Sequence, residues 1–138
     1  MVTARHPDVY ERLHPAIAIP VAGMLPLFLG ALLSDWVYLR SEQVQWINFA
    51  AWLNAGALVL VGAALLMTLV VGLFGGGTWR AWRISLVLLV ATFVVGLVTA
   101  LVHARDAFAT MPDGLVMSLI TLLLAFAATW AGFRRGRS

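Results

Sequence analysis

Residues 52–72 read WLNAGALVLVGAALLMTLVVG, without one charged side chain, and the uncharged stretch around them runs from Glu42 to Arg80. A helix needs about 20 predominantly apolar residues to cross the hydrocarbon of a bilayer. This stretch passes, and so do Pro15 to Leu33, Ile84 to Val102 and Gly114 to Phe133. Backbone amides in lipid find no water, so a helix that bonds them internally is the economical structure. The expected fold class is therefore all-α: four transmembrane helices over residues 15–34, 47–73, 80–104 and 114–133, in one domain spanning 1–138.

Composition points the same way. Of 138 residues, 62% are hydrophobic and 11% charged, with a mean hydropathy of +0.96. Soluble domains carry about 25% charged residues, so this chain cannot coat a globule with polar surface. The absence of cysteine excludes disulfides, thiolate metal sites, iron–sulfur clusters and covalently attached haem. The net charge of +3 comes from arginines alone, and they stand at the ends of apolar segments. That placement implies topology rather than nucleic acid.

The first segment could pass for a secretory leader. It follows Asp8 and Glu11, contains Pro20 and Pro26, and lacks a small-x-small cleavage site, so it is expected to be retained. Orientation follows from the arginines. Arg5, Arg12, Arg80, Arg83, Arg134, Arg135 and Arg137 fall on one side of the bilayer, with Asp8 and Glu11. Only Arg40 and Arg105 fall on the other, with Asp35, Glu42, Asp106 and Asp113. The positive-inside rule puts both termini in the cytoplasm. Trp36 and Trp46 fit the outer boundary, and Trp79, Trp82 and Trp130 the inner one.

Small residues align at helical spacing: Ala16, Gly23, Gly30 and Ser34; Asn48, Ala51, Ala55 and Gly62; Ser85, Thr92, Gly96, Ala100 and His103; Ser118, Thr121, Ala125, Thr129 and Gly132. Such stripes let backbones approach closely in lipid and let hydroxyls bond across the contact. A compact antiparallel bundle with short loops follows. Gly75, Gly76 and Gly77 are expected to end the second helix and Thr78 to cap the third. They form no phosphate loop, since no Gly-Lys-Ser/Thr follows.

The chain has His14-Pro15 opening its first helix, Asp35 ending it, and a second helix beginning Trp46-Ile-Asn-Phe-Ala-Ala-Trp-Leu-Asn-Ala-Gly. Further on come Val102-His-Ala-Arg-Asp-Ala-Phe and Met111-Pro-Asp-Gly-Leu-Val-Met-Ser. Over nearly its whole length this pattern resembles the bacterial predicted-membrane-protein family catalogued as domain of unknown function 2231. The resemblance implies a four-helix inner-membrane protein, some of whose relatives are fused to cytochrome c-like domains. Many members carry a second histidine just inside the first helix, where this chain has Ala16-Ile-Ala-Ile-Pro20.

Chemistry can reside in few places. His103 lies on the polar stripe of the third helix, and intramembrane ionisable residues are functional candidates by default. Against that stands a histidine that simply bonds a neighbouring helix. Asp35, Asn48, Asn54, Arg105, Asp106 and Asp113 are expected to gather with His103 at the outer level, Glu42 nearby. The cluster reads as a proton acceptor, a quinol headgroup site or a docking surface, or else as loop ion pairs and an asparagine pair gluing helices. Trp79, Arg80, Trp82, Arg83, Arg134 and Arg135 read as lipid or interface anchors. Pro20 and Pro26 are expected to bend the first helix.

No catalytic set is evident, and neither a metal nor a cofactor is expected. The favoured function is a non-catalytic accessory or scaffold subunit of a membrane complex, of respiratory type. Its partners would be the bilayer and another membrane protein or a second copy of the chain. The alternatives are an electron-transfer anchor holding haem b or a quinone, and a small-solute or ion transporter. The arginine asymmetry makes a direct prediction: reporter fusions at Gly76 and Ser138 read cytoplasmic, and fusions at Ser41 and Thr110 read periplasmic. A periplasmic reading at Ser138 would mean an odd number of crossings and exclude the four-helix topology.

Overall fold

The computed structural model describes residues 15–74, 79–105 and 110–134, the side chains of 79–81 excepted. Four helices follow in order: α1, Pro15–Ser41; α2, Val44–Phe74; α3, Trp79–His103; and α4, Asp113–Arg134. Each contains a segment long and apolar enough to cross a membrane. Among the described residues there is no strand. The first two helices outrun the sequence-based expectation. With 31 residues, α2 is about 46 Å long at 1.5 Å per residue, against roughly 30 Å of hydrocarbon. The overshoot arises because Asp35 to Ser41 and Val44 to Asn48 carry polar groups but no helix breaker. Glu42 alone turns the chain, with its φ of 56° and its N–H donating to the Tyr38 carbonyl at 2.7 Å.

Core positions alternate at spacings of three and four. On α1 they are Ile17, Val21, Met24, Phe28, Ala31, Asp35 and Tyr38, and on α2 Ile47, Ala50, Asn54, Ala57, Val61, Ala64 and Thr68. On α3 they are Ser85, Leu89, Thr92, Gly96, Thr99 and His103, and on α4 Gly114, Ser118, Thr121, Ala125, Ala128 and Gly132. A mean spacing of 3.5 keeps one seam facing the bundle and corresponds to left-handed packing of the coiled-coil kind. α1 packs on α2 and α4, and α3 packs on α2 and α4. The helices thus form a ring in chain order, with α1 and α3 on one diagonal.

Size separates core from lipid face more than polarity does. Hydroxyls and alanines point inward, while Trp52, Val59, Leu73 and Phe74 are 78%, 71%, 74% and 87% exposed. Apolar surface on that scale has no place in water, and lipid is its natural solvent. The stripes on α3 and α4 face the bundle as expected. Gly23 and Gly30 seat Leu60 and Leu53 of α2, with Cβ-to-Leu distances that would be 3.0 and 3.1 Å. On α2 the stripe is displaced: Asn48 and Ala55 are exposed, and the buried seam runs one residue away. Ranking by smallness selected the flank there, because most α2 residues are apolar enough for either face. Pro20 and Pro26 leave α1 continuous from Pro15 to Ser41. Gly75, Gly76, Gly77 and Thr78 lie outside the described residues.

Gly96 is a close approach between α3 and α2, since a Cβ there would stand 2.9 Å from Leu58 Cδ2. Gly62 is roomier, at 3.7 Å from Phe93. Gly96→Leu should therefore cost about 1–3 kcal/mol through overpacking, read as lost thermal stability in detergent. Gly62→Ala and Leu123→Ala, the latter on a side chain 61% exposed, should be close to neutral. Equal losses for all three would refute this packing.

Candidate functional site: a buried aspartate–histidine–serine joint

One end of the bundle carries the α1–α2 connection and the segment between α3 and α4. This distal end holds the buried ionisable pair Asp35 and His103. Asp35, fully buried on α1, faces His103 on α3, with Oδ1 2.7 Å from Nε2. Its other carboxyl oxygen accepts from the Ser118 hydroxyl of α4 at 2.5 Å. His103 Nδ1 lies 2.8 Å from the Thr99 carbonyl one turn back in its own helix. Both imidazole nitrogens and both carboxyl oxygens are thus engaged.

Local sequence explains why the groups meet. The pair spans the diagonal of the ring, so each partner needs length: α1 supplies a carboxylate and α3 an imidazole. Gly114 leaves room, since a Cβ at that position would stand 3.6 Å from His103 Cε1 and 2.8 Å from Thr110 Cγ2. Thr110 is buried beside it, its hydroxyl reaching the Val102 carbonyl at 3.4 Å. Below the joint, Thr99 and Thr121 hydroxyls meet at 2.9 Å across α3 and α4. Asn54 donates from α2 to the Gly96 carbonyl of α3 at 3.1 Å, where the missing side chain admits the amide. Thr129 reaches from α4 to the Val21 carbonyl of α1 at 3.3 Å.

Of the residues expected to cluster, the structure brings together Asp35 and His103. Asn54 is buried in a contact of its own, and Asn48, Arg105, Asp113 and Glu42 are exposed. Asp106 lies outside the described residues. The joint's third member, Ser118, stood on the α4 stripe but was not grouped with the charges. Its spacing of four from Gly114 was the available signal. Thr99 was missed, though it lies four before His103, where a carbonyl can receive a ring N–H.

Among the interface residues, Trp82 is half-buried and donates its indole N–H to the Thr68 carbonyl of α2 at 2.9 Å. The ring lies over Gly72, where any Cβ would overlap it outright. Trp82 therefore also joins α2 to α3. Arg83 and Arg134 are exposed; the side chains of Trp79 and Arg80 and the whole of Arg135 lie outside the described residues.

Hydrolysis by a serine triad needs a histidine between serine and acid. Here the acid stands in the middle, and Ser118 bonds Asp35. Among the described residues no three of histidine, cysteine, aspartate or glutamate come together. Comparison with protein-family models, curated proteins and solved structures found no match. Fold and site together define a multi-pass α-helical membrane protein with an internally satisfied ionisable pair.

Removing one member of a buried pair leaves the other uncompensated, so His103→Ala should cost about 3–5 kcal/mol. Ser118→Ala, which orphans one carboxyl oxygen, should cost about 1–3 kcal/mol. A double-mutant cycle between Asp35 and His103 in detergent unfolding should give coupling above about 0.5 kcal/mol. Additive losses would mean the two side chains do not interact.

Proposed function

We propose that this chain is a small, rigid scaffold or accessory subunit of a membrane assembly, of the inner membrane of a bacterium and with both termini cytoplasmic. The observation that carries the reading is the complete internal use of the Asp35–His103 pair. Its groups hold helices to one another and offer no free ligand atom. Polar cross-links join α1 to α3 and α4, α2 to α3, and α3 to α4. Such a bundle suits a protein that presents its outer faces to lipid or to another subunit. The resemblance to the predicted-membrane-protein family, with its cytochrome-fused members, makes a respiratory setting the first to examine.

The haem or quinone reading draws on His103 alone among the described histidines. Iron ligation would require Nε2 to abandon Asp35, leaving that carboxyl buried with one partner fewer. Among the described residues no second histidine joins His103 to complete a bis-histidine haem ligand set. The transporter reading rests on a kinked first helix and a buried asparagine; Asn54 is buried, but its amide is bonded to the Gly96 carbonyl of α3.

Gentle solubilisation of native membranes tests the proposal. The chain should migrate on native gels in an assembly larger than its own 14.9 kDa plus detergent, and the isolated chain should show no Soret band. Migration as a lone monomer from native membranes would sink the scaffold reading. One haem per chain, lost in His103→Ala, would establish the electron-transfer reading instead.

A further inference from the structure

The geometry at His103 counts protons. Nδ1 faces the Thr99 carbonyl, which can only accept, so Nδ1 carries a hydrogen. Nε2 faces Asp35 Oδ1 at 2.7 Å. Without a hydrogen between them, two lone pairs would oppose one another in an apolar interior, an unpaired arrangement that burial penalises. That hydrogen belongs either to an imidazolium beside a carboxylate or to a carboxylic acid beside a neutral imidazole. In both cases the pair as a whole is uncharged, and Ser118 donates to the remaining carboxyl oxygen.

We propose that Asp35 and His103 form an intramembrane binding site for one proton, closed by Ser118, and that the α1–α3–α4 joint holds only while that proton is bound. This rests on the reading of the pair as an internal joint. Losing the proton leaves a buried carboxylate facing an imidazole lone pair. Gaining a second sets two hydrogens in one 2.7 Å gap. Either change pushes the joint apart. Among the described residues few other charges act there, and Asp106 lies outside them. On α1, Tyr38 is buried a turn beyond, and Arg40 is exposed. The nearest buried residues of α2, Ile47, Ala50 and Asn54, bring no titratable group. Arg105 beyond α3, Asp113 at the start of α4 and Glu42 are exposed.

Separated in water, the two side chains titrate near about 3.9 and about 6.5. Above about pH 6.5 the unfolded chain carries no proton on the pair while the folded chain carries one, so stability falls as pH rises. Below about pH 3.9 the unfolded chain carries two, so stability falls as pH falls. In Asp35→Asn the amide donates to a neutral Nε2, and above about pH 6.5 the folded and unfolded variant hold the same number of protons at this position.

The test is thermal unfolding of the full chain and of Asp35→Asn in one detergent, from about pH 4 to about pH 9, a range that brackets both titrations. The wild-type midpoint should fall on the alkaline side relative to the variant's, with exposed groups cancelling in the difference. Profiles that run parallel at an offset overturn the proton site but keep the joint. Coincident profiles overturn the joint as well. Should Asp35→Asn fail to fold, nitrogen-15 histidine resonances decide the matter in a chain carrying His6→Gln and His14→Gln. The His103 signals should stay constant from about pH 5 to about pH 8, whereas an ordinary titration centred near about 6.5 overturns the proposal.

Discussion

A carboxyl group and an imidazole meeting on the bundle axis set the terms for the distal half of this protein. An ionisable side chain in hydrocarbon costs several kcal/mol unless it is paired or faces a protein interior. Asp35 and His103 therefore require each other, and the fold is arranged so that they meet. α1 must continue through Pro20 and Pro26 to bring Asp35 to the right level. α4 must carry a glycine in its first turn, where a Cβ would crowd Thr110, and place a hydroxyl one turn later. The His103 ring must turn its other nitrogen back onto its own helix. Removing any of these leaves a polar atom orphaned in a place where water cannot compensate.

The two halves of the core divide the work. An apolar block of Ile17, Val21, Met24, Phe28, Ala57, Val61, Ala64, Leu89, Ala125 and Ala128 packs through close fit. In lipid, burying such side chains gains little from expelling water, so contact area and small residues carry the association. Toward the distal end the same seam turns polar, with Asn54, Thr99, Thr121, Ser118, His103 and Asp35. Apolar packing tolerates slippage between registers. Directional bonds do not, because a shift of one turn along α1 would move Asp35 about 5.4 Å from its partners. The apolar block supplies adhesion and the polar joint supplies register.

Much of this could be read from the chain. Uncharged runs bounded by arginines located the helices, because few other structures satisfy a backbone in lipid. His103 stood out because ionisable groups are rare in such runs. Other features were not legible, and for physical reasons. On α2 a nearly uniform apolar composition left the inward face undetermined by one residue, and only the Leu53–Gly30 and Leu60–Gly23 contacts of the partner helix decide it. The pairing of Asp35 with His103 spans 68 positions and a diagonal of the ring, which no local periodicity encodes. Asp35 was expected at the outer level with His103, just past a helix stopping at residue 34, whereas α1 runs on to Ser41 and holds it within the bundle.

Gly96 shows how one position serves both halves. Its bare backbone seats Leu58 of α2, and its carbonyl accepts from Asn54 of the same helix. That carbonyl lies within α3, so the Asn54 bond is an extra one, made without breaking the ladder. Three residues further along α3, Thr99 meets Thr121, and four further still its carbonyl's partner His103 meets Asp35. α3 is thus bonded in succession to α2, to α4 and to α1, each time from the seam that faces the axis. With Thr99 and His103 committed in this way, the distal half of α3 is held by its neighbours, whereas Ser85 toward the other end keeps a buried hydroxyl without a hydrogen-bond partner among the described residues.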